Sequence, residues 1–484
     1  MGTHARGLNP RRTCPFFIES LSSSRDALSR QSAILIFDIG KTAKKVLVFD
    51  PQFNVLEEQA ETFPEISDDD GFPADDLLRV SSWINDRFQH YVHHPGYNVT
   101  HCNVSGYGAS LVHLDAEGKA LTPFYNYLKP FPQGSIKRFQ HYNANNKVCI
   151  DTASPYLGLL NSGLQLLWLK HEHPDYFQRV ATTLHLPQYL AYLLTGKLAT
   201  ETTSLGCHTM LWDYKTSDYH EWVKREELVR LFPPITPTML TLTKQTGSNT
   251  VQLGIGVHDS SAALMPYLAT QQNPFLLLST GTWNICFNPF NSSPLTATEL
   301  SSDCLCYLTY EGRPVKASRI FLGHEHEAQV QKLAEHFKVP ADYYKTIRFD
   351  LQLFERLNSD DQRPFYPVGM EGTGPLPEKQ INKTDLNNFV NIEEAYHQLV
   401  RYLVKWQLLS VNLVDQGSTI QDLIVVGGFT RNAVFLEVLQ RTMLNRRLLI
   451  SDHPRASALG AAWLVCGKSG YAGNEHLLSV TPYA

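Results

Sequence analysis

The order of apolar and polar residues near the start of the chain predicts a pair of adjacent strands. Residues 34–38 and residues 45–50 form short runs rich in apolar, β-favouring side chains. The segment between them, residues 39–43, is polar and contains Gly40, which is typical of a turn that joins two strands. A third strand is expected at residues 55–62, so the folded part of the chain begins with strands joined by short turns.

A similar pattern recurs in the second half of the chain. An apolar run at residues 275–278 leads into a polar, glycine-bearing segment, and a return strand follows. Ser279 stands at the position that Asp38 has in the first pattern. Gly281 likewise stands at the position of Gly40. This internal repeat indicates two domains of one topology that face each other.

The remaining pattern is that of a mixed α/β protein. Helices are predicted at residues 74–91, Ser162–Glu172, 186–194 and 391–413, and strands at residues 99–104 and 111–114. Gly196 closes the helix at residues 186–194, since glycine is frequent just after a helix. The apolar residues of the helix at residues 391–413 recur at helical spacing, so we interpret them as core.

The C-terminal part of the chain predicts a phosphate-binding turn. A buried strand at residues 423–426 is followed by Gly427 and Gly428 and then by a helix at residues 433–444. Two glycines let a nucleotide approach bare backbone, and the amide groups and dipole of the helix favour phosphate. A further helix at residues 456–465 contains small residues that permit close packing.

Length and charge limit the classes of function. A chain of 484 residues exceeds the roughly 250–300 residues at which one hydrophobic core usually stops growing, so we predict domains at residues 31–265 and 270–484. The formal net charge of −5 gives no electrostatic basis for binding nucleic acid. No apolar run approaches the roughly 20 residues that span a bilayer. Neither nucleic acid nor a membrane is therefore an expected partner.

Residues 1–30 differ in composition from the rest of the chain. They contain several arginines and many serines with little acid, which is loosely similar to a transit peptide. We interpret them as a disordered extension or a mis-assigned start. The eight cysteines are scattered and form no CxxC pair, so no disulfide framework is expected. A cytoplasmic location is the resulting expectation.

Other polar clusters are interpreted without a functional role. The His-x-His segments at residues 171–173 and 324–326 would place their two rings about 200° apart on a helix, which is poor geometry for holding a metal. We interpret both as solvated surface. The acidic residues 68–70 precede Gly71 and are interpreted as a loop.

Several motifs together carry a resemblance to a known family. They are DIGKT at residues 38–42, Tyr107-Gly108, NSGLQLLWLK at 161–170, LLTGKLATETTSLGCHTML at 193–211, GVHDS at 256–260, STGTW at 279–283 and GGFTRN at 427–432. In this order they resemble the FGGY carbohydrate kinases of the actin, sugar-kinase and heat-shock ATPase superfamily. NSGLQLLWLK and GVHDS are most similar to the rhamnulose and fuculose kinase branch.

The resemblance implies a fold and a set of roles. The fold is α/β, with two ribonuclease-H-like domains, a mixed β-sheet in each and a cleft between them. The first domain binds sugar and carries Asp259 as the catalytic base, because a sugar hydroxyl is a poor nucleophile unless a carboxylate accepts its proton. The second domain binds nucleotide, and Asp38 holds Mg²⁺ through water. The implied ATP-binding residues are Asp38, Gly40, Lys41, Thr42, Gly281, Thr282, Gly427, Gly428 and Asn432, and the implied substrate-binding residues are Tyr107, Gly108, Asn126, His258, Asp259 and Arg319.

Three positions depart from the family pattern. Lys41 stands where many members have Thr or Ser, and its side chain could reach a phosphate or point into solvent. The sugar-binding stretch W-x-D-x-R is absent, and residues 123–129 take its place, with Asn126 and Lys129 as candidate hydroxyl ligands. Gln188 stands where Asp is usual. These departures bear on the sugar more than on the phosphoryl transfer.

The implied function is ATP-dependent phosphorylation of a ketose at its C1 hydroxyl, with L-rhamnulose and L-fuculose as leading substrates. A ketopentose, heptulose or polyol kinase remains an alternative because the sugar segment is unusual. A non-catalytic sugar- or nucleotide-binding regulator would not need Asp38 and Asp259. A chaperone-like ATPase would need a peptide-binding domain, for which the chain has no room. ATP, Mg²⁺ and a sugar are the expected small molecules, and a homodimer is left open.

Overall fold

The structure is a computed structural model of the chain. It describes residues 30–247, 249–358, 363–376, 381–416, 420–443, 445–451, 453–467 and 478–483. Apart from Arg30, the extension predicted at residues 1–30 lies outside the described residues. No helix in these ranges combines the length and the apolar composition that a membrane crossing requires.

The strands have the following bounds. In the first part of the chain they are β1 (Gln31–Ile39), β2 (Lys44–Phe49), β3 (Val55–Glu61), β4 (Ile66–Ser67), β5 (Pro73–Ala74), β6 (Tyr97–Gly106), β7 (Leu111–Leu114), β8 (Thr182–His185), β9 (Trp212–Asp213) and β10 (Asp218–Tyr219). They continue as β11 (Thr241–Thr246), β12 (Asn249–Gly254), β13 (Val257–His258), β14 (Phe275–Thr280), β15 (Asn284–Asn288), β16 (Cys304–Leu308), β17 (Pro314–Ile320), β18 (Asp422–Gly427), β19 (Arg447–Ser451) and β20 (Val480–Pro482).

The α-helices alternate with these strands. They are α1 (Leu77–Val92), α2 (Gln133–Tyr142), α3 (Lys147–Asp151), α4 (Ser162–Glu172), α5 (Pro174–Phe177), α6 (Leu186–Thr195), α7 (Thr202–Leu205) and α8 (Glu221–Arg225). In the second half they are α9 (Asp259–Thr270), α10 (Ala297–Ser301), α11 (Leu322–Phe337), α12 (Leu351–Asn358), α13 (Ile392–Val414), α14 (Ala433–Thr442) and α15 (Ala456–Cys466).

The first large sheet is mixed and has the strand order β11-β12-β6-β1-β2-β3, with β13 also paired to β6. β1, β6 and β12 are parallel, whereas β2 is antiparallel to β1 and to β3. Residues 33–37 of β1 are buried without interruption, as expected for a central strand that is covered on both faces. Asp38 follows this run and brings a carboxylate to the end of the strand.

The second large sheet repeats this arrangement. Its order is β16-β17-β15-β14-β18-β19-β20. β14, β18 and β19 are parallel, and β15 is antiparallel to β14 and to β17. β14, β15, β18 and β19 therefore correspond to β1, β2, β6 and β12. Two mixed sheets of one topology confirm both the predicted α/β fold and the predicted internal repeat.

Two predictions on local structure need correction. The helix predicted at residues 74–91 begins later, because the carboxylate of Asp76 accepts a hydrogen bond from the N–H of Arg79 and so caps α1, while Ala74 pairs in β5.

The segment at residues 324–326 is not solvated surface, since Glu325 and His326 are buried on α11. His171 is half-buried and lies 3.0 Å from a carboxylate oxygen of Glu226. The sequence pattern does not reveal the partner of His171, because Glu226 is distant along the chain.

Two helices, α9 and α15, pack together between the sheets. A Cβ on Gly460 would overlap the carbonyl oxygen of Ala262, so the two helix backbones touch. The small residues predicted to permit close packing in α15 therefore have this role. α15 also lies on the first sheet, where the side-chain amide of Asn103 in β6 donates to the carbonyl of Ala461 (3.0 Å). α9 runs through the domain boundary predicted between residues 265 and 270, and that boundary stays a prediction.

The contact between α9 and α15 predicts a large effect of a single methyl group. We expect Gly460→Ala to lower the free energy of unfolding by about 1–3 kcal/mol, because the new Cβ must displace backbone rather than a mobile side chain. The midpoint of urea unfolding measures this change.

A matched control is Gly134→Ala on α2. There the Cβ would meet only the flexible end of Glu172, at 3.1 Å, and removing a helical glycine should stabilise by up to about 1 kcal/mol. If Gly460→Ala unfolds at the urea concentration of the unmodified protein, the proposed tight contact is wrong.

Candidate active site

Asp259 is the first residue of α9 and directly follows β13. One of its carboxylate oxygens accepts hydrogen bonds from the N–H (2.6 Å) and the hydroxyl (3.2 Å) of Ser260. Burial raises the pKa of Asp259 to about 6, although the bonds from Ser260 act in the opposite direction. The side chain nevertheless keeps 33% of its surface exposed, so the carboxylate lies in a recess that a ligand can enter.

Asp38, at the end of β1, lies in the same site. The hydroxyl of Ser457 lies 3.0 Å from both of its carboxylate oxygens. Burial raises the pKa of Asp38 to about 6, the bond from Ser457 opposes this rise, and the negative charge of Asp259 adds to it. The structure therefore brings the two predicted carboxylates within electrostatic reach of each other.

His258 forms the wall beside Asp259. Its Nε2 atom lies 3.3 Å from a carboxylate oxygen of Asp259, and its ring stacks on Tyr307 with centroids 5.6 Å apart. Burial lowers the pKa of His258 to about 3, so the ring is neutral at physiological pH. Within the described part of the chain, no atom forms a hydrogen bond with its Nδ1. A Cβ on Gly108 would lie 2.7 Å from Nε2, which places Gly108 at the same wall.

Two further histidines, for which the sequence predicts no role, lie near this wall. His185 and His208 are buried, and burial together with the nearby His258 lowers the pKa of each to about 3. His208 has a φ of 38° and Ala109 a φ of 64°, a region that residues other than glycine rarely adopt. Strained backbone clusters at functional sites. The only signal in the sequence was the position of His208 within a family segment.

The first predicted phosphate turn is a tight loop between β1 and β2. The N–H of Gly40 donates to the carbonyl of Ala43 (2.9 Å), and the ammonium group of Lys44 donates to the carbonyl of Lys41 (2.8 Å). Thr42 is exposed at the tip of this loop. The loop therefore has a defined shape and presents Thr42 to solvent.

The second predicted turn and the glycine pair meet on the second sheet. Gly427 is paired with Thr280 in the register of β14 and β18, directly before Gly281 and Thr282. Gly427 has a φ of 90°, and a Cβ there would overlap the carbonyl oxygen of Thr280. Gly281, Thr282, Gly427 and Gly428 are all exposed. Bare backbone from two neighbouring strands thus lines one surface, as phosphate binding requires.

The side chain of Lys41 does not point freely into solvent, because two carboxylates bind its ammonium group. Its ammonium group lies 2.6 Å from a carboxylate oxygen of Asp75 and 3.4 Å from one of Glu65. The other oxygen of Asp75 accepts from buried Lys44 (3.2 Å), and the hydroxyl of Tyr107 also donates to Asp75 (2.8 Å). Burial alone would raise the pKa of Asp75, but these donors hold that pKa below its ordinary value. Lys41 and Tyr107 are therefore occupied in the protein without ligands.

The unusual segment at residues 123–129 is tied to a neighbouring loop. The amide of Asn126 donates to the carbonyl of Pro73 (2.9 Å) and accepts from the N–H of Leu128 (3.0 Å). Lys129 lies 2.6 Å from carboxylate oxygens of both Asp68 and Asp70. Asn126 and Lys129 thus already have structural partners, which weakens their assignment as sugar ligands. Lys129 thus binds two of the three carboxylates of the acidic loop, and the hydroxyl of Tyr125 donates to the third, that of Asp69 (2.9 Å).

Arg319 and Asn432 are also engaged. The guanidinium group of Arg319 binds Asp303 (2.6 Å) and lies over the ring of exposed Trp283, 5.0 Å from its centroid. Its charge contributes to the lowered pKa of His208, so Arg319 lies on the second sheet near the histidine wall. Asn432 caps α14 by accepting from the N–H of Phe435 (3.1 Å) and donates to the hydroxyl of Tyr396 (2.8 Å).

Gln188 and Ser457 differ in their relation to the site, since Gln188 lies outside it whereas Ser457 binds Asp38. Gln188 is buried and donates to Glu201 (3.3 Å), which excludes it from the exposed wall of the site. Ser457 was assigned only to a packing helix. Its contact with Asp38 depends on where α15 lies against the first sheet, which no local pattern reports.

Comparison with known proteins finds family matches in both halves of the chain. Residues 33–258 match the FGGY family of carbohydrate kinases, N-terminal domain, and residues 272–474 match the carbohydrate kinase FGGY, C-terminal domain. L-Fuculokinase from Escherichia coli (strain K12) is 24% identical over 279 residues, which cover 53% of this chain and 56% of that protein. Rhamnulokinase from Bacteroides thetaiotaomicron is 26% identical over 203 residues, which cover 40% of this chain and 41% of that protein. The chain thus spans about half the length of these curated relatives.

A solved structure extends the similarity to most of the chain. The crystal structure of a carbohydrate kinase from Novosphingobium aromaticivorans has 27% sequence identity and a TM-score of 0.74, covering 89% of this chain and 91% of that chain. The two domain matches contain both large sheets apart from β20 and the first two residues of β1, and together cover more than half of the sequence. The chain therefore belongs to the FGGY family of carbohydrate kinases.

Proposed function

We propose that the protein transfers the γ-phosphoryl group of ATP to the C1 hydroxyl of a 6-deoxyketohexose such as L-fuculose or L-rhamnulose. The observation that carries this proposal is the meeting of Asp259 and Asp38 in one recess between the two sheets, each with a pKa raised to about 6. FGGY family membership supports the class of reaction, and the names of the fuculokinase and rhamnulokinase relatives support the sugar.

Asp259 acts as the general base. A carboxylate whose pKa is about 6 is ionised at neutral pH and is a stronger base than an ordinary Asp. It accepts the proton of the attacking sugar hydroxyl, while the bonds from Ser260 fix the orientation of its carboxylate. His258, neutral and packed against Tyr307, supplies a rigid wall and a ring nitrogen for hydrogen bonding to the sugar.

ATP binds the surface of the second sheet. Gly281 and Thr282 receive the β- and γ-phosphates together with Gly40 and Thr42 from the first sheet, and Gly427 and Gly428 receive the α-phosphate and the nucleoside. Phosphoryl transfer needs mainly positioning and charge stabilisation, which fixed backbone donors supply. Closing the two halves over both ligands excludes water and suppresses wasteful hydrolysis of ATP.

The residues at Asp38 fit Mg²⁺. Both of its oxygens lie near a neutral hydroxyl, that of Ser457, and none of the Lys or Arg side chains in the described ranges forms an ion pair with it. A carboxylate with room for water matches a hard cation that retains several waters. When bound, Mg²⁺ supplies positive charge to the phosphate oxygens.

The substrate could differ within the family. The donors that a typical sugar segment offers are replaced here by Asn126 and Lys129, which bind backbone and carboxylates of the protein. This observation favours a second candidate, a ketopentose or polyol kinase of the same family. A non-catalytic regulator is less favoured, because burying two neighbouring carboxylates costs stability that a binding protein has no reason to retain.

The proposal predicts sugar-stimulated release of ADP. L-Fuculose or L-rhamnulose formed from its aldose should stimulate turnover more than D-xylulose, D-ribulose or glycerol in a coupled ADP assay. Stimulation by a pentulose or a polyol instead would select the second candidate. Absence of stimulation by any member of the panel would reject the kinase.

Removing the base predicts a large loss of activity. Asp259→Asn keeps the size of the side chain but cannot accept the proton, so we expect kcat to fall by about 10²- to 10⁴-fold. The fold should persist, because Asn can still accept the bonds from Ser260, and thermal unfolding checks this. Full activity in Asp259→Asn would contradict the assigned role.

The raised pKa values predict the acid side of the pH profile. As pH falls through about 6, Asp259 and Asp38 become protonated, so kcat/KM should decline there rather than near pH 4. His258, His185 and His208 do not contribute to this decline, since burial lowers the pKa of each to about 3. A profile that stays flat down to pH 5 would be inconsistent with this assignment.

The assignment of Asp38 predicts a changed metal requirement. Asp38→Asn should raise the Mg²⁺ concentration for half-maximal activity by about 10- to 100-fold, as found when groups that orient a metal are lost. Calorimetric titration of the ATP-loaded protein with Mg²⁺ gives an independent readout. Unchanged Mg²⁺ dependence in both measurements would remove Asp38 from the metal site.

A further inference from the structure

Glu201 is a fully buried carboxylate outside the site described above. It precedes α7 and has no exposed surface. No Lys, Arg or His in the described ranges forms an ion pair with it. Its hydrogen-bond donors are the N–H groups of Thr203 (2.7 Å) and Ser204 (2.7 Å), the hydroxyls of Thr203 (2.7 Å) and Thr238 (3.0 Å), and the side-chain amide of Gln188 (3.3 Å).

This set of donors connects distant parts of the chain. Gln188 lies on α6, Thr203 on α7, and Thr238 in the segment before β11. Burying a carboxylate without a cation is costly unless neutral donors satisfy it. A side chain held at this cost in the middle of the first domain calls for a role beyond capping a helix of one turn.

The hydroxyl of Thr203 connects Glu201 to the backbone of the candidate site. It donates its single proton to Glu201 (2.7 Å), which leaves its lone pairs to accept from the N–H of His258 (3.1 Å). His258 is the residue directly before Asp259. The carboxylate of Glu201 thus fixes the direction of the Thr203 hydroxyl, and that hydroxyl holds the backbone from which Asp259 projects.

The backbone that leads to His258 is also held two residues earlier, at Gly256. The N–H of Gly256 donates to the side-chain oxygen of Asn103 (3.2 Å), and the amide of Asn103 donates to Ala461 in α15. The two anchors hold Gly256, directly before β13, and His258, the last residue of β13. The anchor from Asn103 depends on the packing of α15, whereas the anchor from Thr203 depends on Glu201.

Glu201 and Asp259 both lie near one buried residue, Cys207. The charges of Asp259 and Glu201 both add to the rise in the pKa of Cys207 that burial causes. A Cβ on Gly108 would lie 2.5 Å from the sulfur of Cys207 and 2.7 Å from Nε2 of His258. Glu201 reaches the backbone of His258 through the hydroxyl of Thr203, so it acts on Asp259 through the protein.

We propose that Glu201, acting through the hydroxyl of Thr203, is a positioning residue that sets the direction in which Asp259 meets the sugar hydroxyl. This inference rests on the proposed role of Asp259 as the base. Small displacements of a reacting group reduce kcat strongly, because the reacting atoms must approach within a narrow range of distance and angle.

The decisive variants are Thr203→Val and Thr203→Ser. Val has the shape of Thr but lacks the hydroxyl, so kcat should fall by roughly 10- to 100-fold. The KM for ATP should change little, because the proposed ATP-binding turns follow other strands, β1, β14 and β18. Ser keeps the hydroxyl and should retain kcat within about twofold of the unmodified protein. Partial unfolding would also lower the apparent kcat without changing KM, so thermal unfolding must show that Thr203→Val, like Thr203→Ser, is folded at the assay temperature.

A matched control is Thr152→Val. Thr152 is also buried and donates its hydroxyl to a backbone carbonyl, that of Val148 (2.7 Å), but it has no bond to the site. Its replacement should leave kcat within about twofold of the unmodified protein while removing one buried hydroxyl. Loss of kcat in this control equal to that in Thr203→Val would overturn the inference.

Glu201→Gln tests the first link of the chain of bonds. The oxygen that accepts from the Thr203 hydroxyl also accepts from Ser204 and Gln188, and the other oxygen accepts from the N–H of Thr203 and from Thr238. The NH₂ group of Gln faces hydrogen-bond donors at either position, so the side chain must move and kcat should fall in the same way as in Thr203→Val. If this variant does not fold, the comparison of Thr203→Val with Thr203→Ser decides the question alone, because a neutral buried hydroxyl is removed there.

A double-mutant cycle with Asp259→Asn separates positioning from general damage. Once the base is gone, Thr203→Val should reduce the residual turnover by no more than about twofold. Multiplication of the two losses would overturn the inference. An active Asp259→Asn protein would instead reject the proposed base, whereas an inactive Asp259→Asn protein with an unaffected Thr203→Val would reject only the positioning role.

Discussion

The contact between α9 and α15 is the constraint on which the site depends. Gly460 allows the two helix backbones to touch at Ala262, and this contact fixes the positions of the residues in the first turn of each helix. α9 begins with Asp259, and α15 carries Ser457 in its first turn, against Asp38 of β1. One helix contact therefore brings together carboxylates from distant parts of the chain, and a side chain on Gly460 would disturb both at once.

The two carboxylates of the candidate site are poorly neutralised. The folded protein keeps Asp38 and Asp259 close and partly shielded from water, and both resist ionisation as a result. Elsewhere in the first domain the described acids mostly have firm partners: Asp75 binds two lysines and Asp68 binds Lys129. A pair without such partners suits the binding of a cation and the acceptance of a proton. The energetic cost is met by the packing of the surrounding helices and sheets.

The positions that depart from the family pattern gain a physical explanation from the structure. Lys41 places a long cationic side chain where many family members have Thr or Ser, and the carboxylates of Asp75 and Glu65 supply the compensating charge. Asn126 binds the backbone of Pro73. These bonds show how the first domain accommodates unusual residues beside the turn without leaving buried charge unpaired.

The sequence alone determined the features that depend on neighbouring residues. The strand of residues 34–38, the glycine turns and the repeated order of elements follow from local pattern, and the family motifs predicted Asp38 and Asp259 as site residues. Tertiary structure decided the partners of Lys41 and Asn126, the burial of His326, and the bonds from Ser457 to Asp38 and from Thr203 to His258. These contacts join residues far apart along the chain, so only the packing of helices against sheets brings their atoms within reach of each other.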